Sequence, residues 1–218
     1  MSFALSPSPE GPQLVVRALA AQRGDRPLFA GLDLMLTAGD GLWVRGHNGV
    51  GKTTLLRLLA GLSQPLHGEV TWRGRSLRDA LEEWPGDLLY IGHRHGHKEI
   101  LSCLENLTFQ LALIGAPHDE PHCLAALDAV GLGHLADLPV RSLSQGQQRR
   151  LALARLFAGH ATLWILDEPF TALDRHACRW VEARLDEHLA RGGVAVVTSH
   201  QPLATTRTLR ELDLEALA

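Results

Sequence analysis

Short stretches of this sequence carry residue types suited to phosphate chemistry. In Gly46-His47-Asn48-Gly49-Val50-Gly51-Lys52-Thr53, glycines alternate with small or polar residues and end in a cation and a hydroxyl. Glycine lets the backbone curl until successive N–H groups point inward at an anion. The apolar run Leu42-Trp43-Val44-Arg45 before it reads as a strand. Thr53 to Leu62 after it reads as a helix, with Leu55, Leu56, Leu58, Leu59 and Leu62 on a core face. That strand-loop-helix context is what a phosphate-cradling loop requires, and the helix opening at Gly51 adds its positive end to the same anion. Lys52 would supply a point charge to the β- and γ-phosphates of a nucleotide, and the Thr53 hydroxyl a ligand for Mg²⁺. Thr54 can donate toward the α-phosphate, so the whole of Gly46 to Thr54 is a candidate nucleotide site.

A second stretch, Leu163-Trp164-Ile165-Leu166-Asp167-Glu168-Pro169, puts two carboxylates at the end of a compact apolar strand. Open α/β sheets bind ligands at the carboxyl ends of their strands. Asp167 is then placed to hold Mg²⁺ through its water shell. Glu168, one residue on, can face the γ-phosphate and polarise an attacking water. His200 follows the apolar run Val194-Ala195-Val196-Val197-Thr198-Ser199 on the same edge. A neutral imidazole there can donate to the γ-phosphate and fix Glu168 and the water.

The elements that must position these groups alternate between strand and helix. A strand pattern begins at Leu14, and another at Leu32-Asp33-Leu34-Met35-Leu36-Thr37 puts three leucines on one face. Gly68 to Trp72 and Leu88 to Ile91 read as further strands, and about 93 to 140 as helices with short loops. A helix from Asp174 to Arg191 stops at Gly192-Gly193, and about one helix is expected after the His200 loop. Strands alternating with helices imply a parallel sheet covered on both faces. Residues 1–12, rich in Pro, Ser and Gly, read as a loose tail.

The chain has 218 residues, 45% hydrophobic and 21% charged, which suits one α/β domain with a small lobe. A net charge of −3 argues against non-specific nucleic-acid binding. Cys103, Cys123 and Cys178 share no close spacing and read as reduced thiols. No apolar run approaches the ~18 residues of a membrane span, and the start lacks a secretory pattern, so a membrane connection would come through a partner.

Leu143-Ser144-Gln145-Gly146-Gln147-Gln148-Arg149-Arg150 precedes an apolar helix through Leu151, Ala152, Leu153, Ala154, Leu156 and Phe157. It resembles the signature motif of ATP-binding-cassette (ABC) ATPases. Ser144 reads as an N-cap, so the helix end again forms an anion site. Thr171-Ala172-Leu173-Asp174 resembles the family's D-loop, and Thr198-Ser199-His200 its switch-histidine loop. The resemblance runs from Leu14 to His200. It implies an α/β P-loop NTPase core at 13–218 with a parallel sheet, a small antiparallel β subdomain and an inserted helical subdomain at about 93–149. It also implies ATP hydrolysis with Mg²⁺ in a sandwich of two copies, where Ser144, Gln145, Gly146, Gln147 and Asp174 of one copy face ATP on the loop of the other.

This chain departs from the family pattern in places. Gln145 replaces the first signature glycine, His93 stands where the Q-loop glutamine is expected, and Arg23 takes the place of an aromatic that stacks on adenine. The first two exchanges, with Leu88 to His93 and Leu104-Glu105-Asn106-Leu107, resemble the haem exporter ATP-binding subunits of bacterial cytochrome c maturation systems. That resemblance implies integral membrane transporter subunits as partners and a peripheral position on the cytoplasmic face of the inner membrane. An ABC ATPase for another substrate is the alternative. His93, His95 and His97 alternate, but alternation on a loop fixes no ligand geometry, and a polar loop is the reading kept.

Overall fold

A computed structural model describes residues 13–84, 86–93 and 96–217; the tail read from 1–12, and His95, lie outside the described residues. Two sheets organise the chain. Strands β1 (Gln13–Arg23), β2 (Arg26–Thr37), β4 (His67–Trp72) and β5 (Arg75–Ser76) form an antiparallel sheet in the order β2-β1-β4-β5. Strands β3 (Gly41–Arg45), β6 (Leu88–Ile91), β7 (Leu163–Leu166), β8 (Val194–Thr198) and β9 (Arg210–Asp213) form a parallel sheet in the order β6-β7-β8-β3-β9.

The alternating side chains of β7 explain how that sheet is covered. Leu163 and Ile165 join a core with β1, β2 and the leucines of α1 (Lys52–Leu59). Trp164 and Leu166 join a second core with α5 (Gln145–Ala158) and α6 (Arg175–Ala190). All four residues are buried, as expected of a central strand sandwiched between layers. A short helix α2 (Leu77–Glu83) closes the antiparallel sheet. Helices α3 (Cys103–Leu113) and α4 (Glu120–Ala129) form a lobe with its own core, completed by Leu151, Ala154 and Ala158 of α5. Helix α5 therefore belongs to both bodies, with Ala152, Leu153 and Leu156 turned toward the sheet.

Several expectations need correction. The second strand starts at Arg26 and not Leu32, because Leu28 and Phe29 are already buried beside β1. Helix α1 ends at Leu59, and Leu62 is 51% exposed, since the chain turns away at Gly61 with φ +70°. Beyond the His200 loop the chain forms strand β9 and a short 3-10 turn (Leu214–Leu217) where one helix was expected. Arg210-Glu211-Leu212-Asp213 hides its strand character because it is an edge: charges face solvent, and only Leu212 packs against a core.

Candidate functional site

Every strand of the second sheet runs parallel, so their carboxyl ends share one edge. A cleft of about 470 Å³ opens there. Its floor is Asn48, Gly49, Gly51, Lys52, Thr53 and Thr54; Asp167, Glu168, Thr171 and His200 form one wall, and Arg23, Leu28 and His93 also line it. The glycine loop takes the shape its composition permits: Gly46, Gly49 and Gly51 have φ of +135°, +87° and +117°, a region closed to most side chains. Gly51 is the N-cap residue of α1, so the first turn of that helix has no side-chain cap and its N–H groups face the cleft.

Hydrogen bonds tie the loop to the carboxylates. Thr53 Oγ1 donates to Asp167 Oδ2 at 2.9 Å, and Thr198 Oγ1 donates to Asp167 Oδ1 at 2.9 Å. The Glu168 N–H donates to Thr198 Oγ1 at 2.8 Å. Asp167 is almost fully buried, so an unpaired charge there would be costly. Lys52 is buried too, and its Nζ donates to the carbonyls of Gly46 at 2.6 Å and His47 at 3.3 Å.

Glu168 stands apart. Its φ is +50°, a strained value for a residue with a Cβ. His200 Nε2 lies 3.5 Å from Glu168 Oε1, and that oxygen, though shielded, accepts no hydrogen bond among the described residues. A strained backbone and an unused acceptor at a cleft wall suit a group that waits for a substrate water.

Behind this wall lies a residue of the Leu143 to Arg150 stretch whose role only the structure shows. Arg149, 2% exposed on α5, donates to the carbonyls of Gly92 (3.0 Å), Asp167 (2.8 Å), Glu168 (2.5 Å) and Pro169 (3.2 Å). Burial pushes its pKa down to about 10 while Asp167 and Glu168 oppose the shift, so the guanidinium stays charged at neutral pH. The sequence marks it only as one of two adjacent arginines, Arg149 and Arg150, ahead of the apolar run from Leu151.

The other candidates divide. His47 does not line the cleft, and Val50 is buried in the core, so neither side chain meets the space beside Lys52. Ser144, Gln145, Gly146, Gln147 and Asp174 are likewise absent from its walls. Ser144 is the N-cap of α5 in a full capping box: its Oγ accepts from Gln147 N–H at 3.2 Å, and Ser144 N–H donates to Gln147 Oε1 at 2.8 Å. Asp174 caps α6, accepting from Ala177 N–H at 2.7 Å, and this bond holds its carboxyl below the usual range. A Cβ on Gly146 would sit 2.8 Å from the Ala172 carbonyl oxygen, so this turn needs a glycine at 146. Gln145 opens the helix, exposed and without positive φ, so its side chain is accommodated without strain.

Residues 29–171 match the profile of the ABC transporter family. The chain belongs to that family. This ABC ATPase is 48% identical over 190 residues to the cytochrome c biogenesis ATP-binding export protein CcmA of Escherichia coli K12, covering 87% of this chain and 90% of that one. The same figures hold for the CcmA protein of Shigella sonnei. Among solved structures, a putative ABC transporter ATP-binding protein of Pyrococcus furiosus superposes with a TM-score of 0.80 at 23% identity, covering 94% of this chain and 99% of that one. The ATP-binding cassette MJ0796, a dimer bound to ADP and phosphate, superposes at 0.74 and 21% identity, covering 86% of this chain and 88% of its own. Both likenesses place the ABC ATPase in the cassette fold, with its parallel core sheet and separate antiparallel sheet.

Proposed function

We propose that this chain hydrolyses ATP between two copies of itself and so drives a transporter that serves the assembly of c-type cytochromes. The observation that carries the chemistry is the relay from Thr53 through Asp167 and Thr198 to Glu168, beside a glycine loop holding Lys52. These residues fit ATP with Mg²⁺. A hydroxyl and a carboxylate oxygen 2.9 Å apart flank the loop, the donor type a hard cation takes. Thr53 directly, and Asp167 through water, would hold the ion, whose charge draws electron density from the β- and γ-phosphate oxygens.

The residues of the chain supply the rest. The N–H groups from Gly46 to Thr54 follow the phosphate chain, and Lys52 adds its charge. Glu168 takes the proton of the attacking water, for which its free oxygen is suited, and His200 beside it orients the γ-phosphate. Ser144, Gln145, Gly146 and Gln147 cap the nucleotide from the second copy, and Asp174 works at that junction. Their absence from the cleft of a single chain supports a site completed by two chains. Phosphate release then reopens the pair.

No helix among the described residues is long and apolar enough to cross a membrane. In this reading integral membrane partner subunits do the coupling, at the cytoplasmic face of the inner membrane, and the relatives named as export proteins support it. The relatives named for cytochrome c biogenesis support this assignment over transport of another substrate. A haem-stained gel of membranes from cells carrying Lys52→Ala in place of the parent tests it. The expected result is loss of covalently haem-bearing c-type cytochromes with b-type haem intact. Unchanged c-type cytochromes would sink the assignment.

A further inference from the structure

Glu215 lies in the 3-10 turn after β9, in none of the motifs above. Its Oε1 accepts from the backbone N–H of His47 at 2.6 Å and lies 2.9 Å from His47 Nδ1. The carboxylate is held in place from below, because the Glu215 N–H donates to Asp213 Oδ1 at 3.0 Å and Asp213 pairs in register with Arg45 of β3. It also packs on the first glycine of the loop: its Cγ is 3.5 Å from where a Gly46 Cβ would stand.

The Gly46–His47 peptide is thus gripped from both sides. Its N–H goes to Glu215 outside the cleft, and its carbonyl goes to Lys52 Nζ inside. In a trans peptide these two groups point in opposite directions within one rigid plane. Gly46, at φ +135° and without a Cβ, leaves that plane free to swivel unless something pins it. Hydrogen bonds from His47 hold the Glu215 carboxyl below the usual range, so it is an anion at neutral pH and a strong acceptor.

We infer that Glu215 is a positioning residue for Lys52: it fixes the Gly46–His47 peptide so that the ammonium keeps the Gly46 and His47 carbonyls and aims its remaining proton at the nucleotide phosphates. The inference rests on the nucleotide-binding role assigned to Lys52 above. The C-terminal edge strand is then part of the nucleotide site, delivering a carboxylate to the back of the loop.

The test is calorimetric titration of the full chain with Mg-AMPPNP, which does not turn over. Glu215→Ala is expected to weaken binding about five- to tenfold, less than the roughly tenfold or more of a direct hydrogen bond to a charged group, because Glu215 acts only through Lys52. Glu215→Gln keeps an acceptor for the His47 N–H and should recover binding to within about twofold. In a Lys52→Ala background Glu215→Ala should have no further effect, because the two losses are not additive when one residue acts through the other. A loss of equal size with and without Lys52 would overturn the inference, as would parent-like binding by Glu215→Ala. Glu215→Met keeps the length of the side chain and removes the acceptor for the His47 N–H, so it should weaken binding as alanine does and keeps the test valid if the alanine variant folds poorly; parent-like binding by it would overturn the inference. A parent chain that binds no Mg-AMPPNP would sink the nucleotide reading itself, whereas a binding parent with an indifferent Glu215 sinks only this one.

Discussion

Arg149→Met tests whether the buried guanidinium is the brace of the catalytic turn. The substitution keeps the apolar stem and removes the donors that now serve the carbonyls of Gly92, Asp167, Glu168 and Pro169. A hydrogen bond to a charged group contributes about 1.5–3 kcal/mol, and the contributions of neighbours do not add in full. Desolvation already burdens the wild-type charge, as its lowered pKa of about 10 records, which reduces the net loss. A destabilisation of about 4 kcal/mol follows, in the range for breaking a buried charged network. For a chain of this size that is a fall in Tm of roughly 8–16 °C. Arg78→Met is the control: that side chain is 86% exposed in its pair with Glu82, and an exposed pair contributes less than about 1 kcal/mol. Thermal melts of both variants beside the parent decide the matter. Because Asp167 and Glu168 hang from two of the braced carbonyls, residual ATPase of the folded variant should fall more in kcat than in KM. A fall in Tm below about 3 °C, no larger than the control within error, would refute the reasoning.

Glu168→Gln should leave Mg-ATP binding close to the parent while hydrolysis falls by about 10²–10⁴-fold, because the amide cannot accept the water proton; phosphate release at the parent rate would show that another group is the base. His188 is stacked on Trp164 with centroids 3.8 Å apart and Nε2 is 3.2 Å from the Val194 carbonyl. Burial, above all, pushes its pKa from 6.5 down to about 4. The unfolded chain takes up a proton below pH 6.5 that the folded chain refuses, so this stability is present above about pH 6.5 and is lost progressively toward pH 4, by up to about 3 kcal/mol. Urea midpoints across that range should fall less steeply for His188→Phe than for the parent, and equal slopes would refute the assignment.

Much of the site was legible because its signals are local. The glycine spacing, the hydroxyl after Lys52, and the carboxylates after an apolar run depend only on neighbours in sequence, and the chain brings Lys52, Thr53, Asp167, Glu168 and His200 to one cleft. The capping role of Ser144 was equally local, since the hydroxyl and Gln147 lie within one turn. What escaped was set by distance along the chain. Arg149 reads as one polar residue ahead of an apolar run until carbonyl partners are seen on other segments. Strand β9 has one packed side chain and exists because β3 offers it a free edge. His47 sits inside a phosphate pattern, yet its N–H is taken by a residue near the other end of the chain.

The parallel sheet is what joins these distant pieces. Since β3, β6, β7, β8 and β9 all point the same way, whatever residue follows each strand arrives at the same edge. The glycine loop follows β3, His93 follows β6, Asp167 and Glu168 follow β7, His200 follows β8 and Glu215 follows β9. In an antiparallel sheet alternate members of this set would emerge at opposite ends, roughly 13–17 Å apart for strands of 4–5 residues at about 3.3 Å each. Reversing any one strand would therefore remove a whole function from the cleft. For the same reason the short edge strand matters to Glu215: as a fifth parallel strand it brings a carboxylate to the outside of the loop and leaves the cleft side open for phosphate.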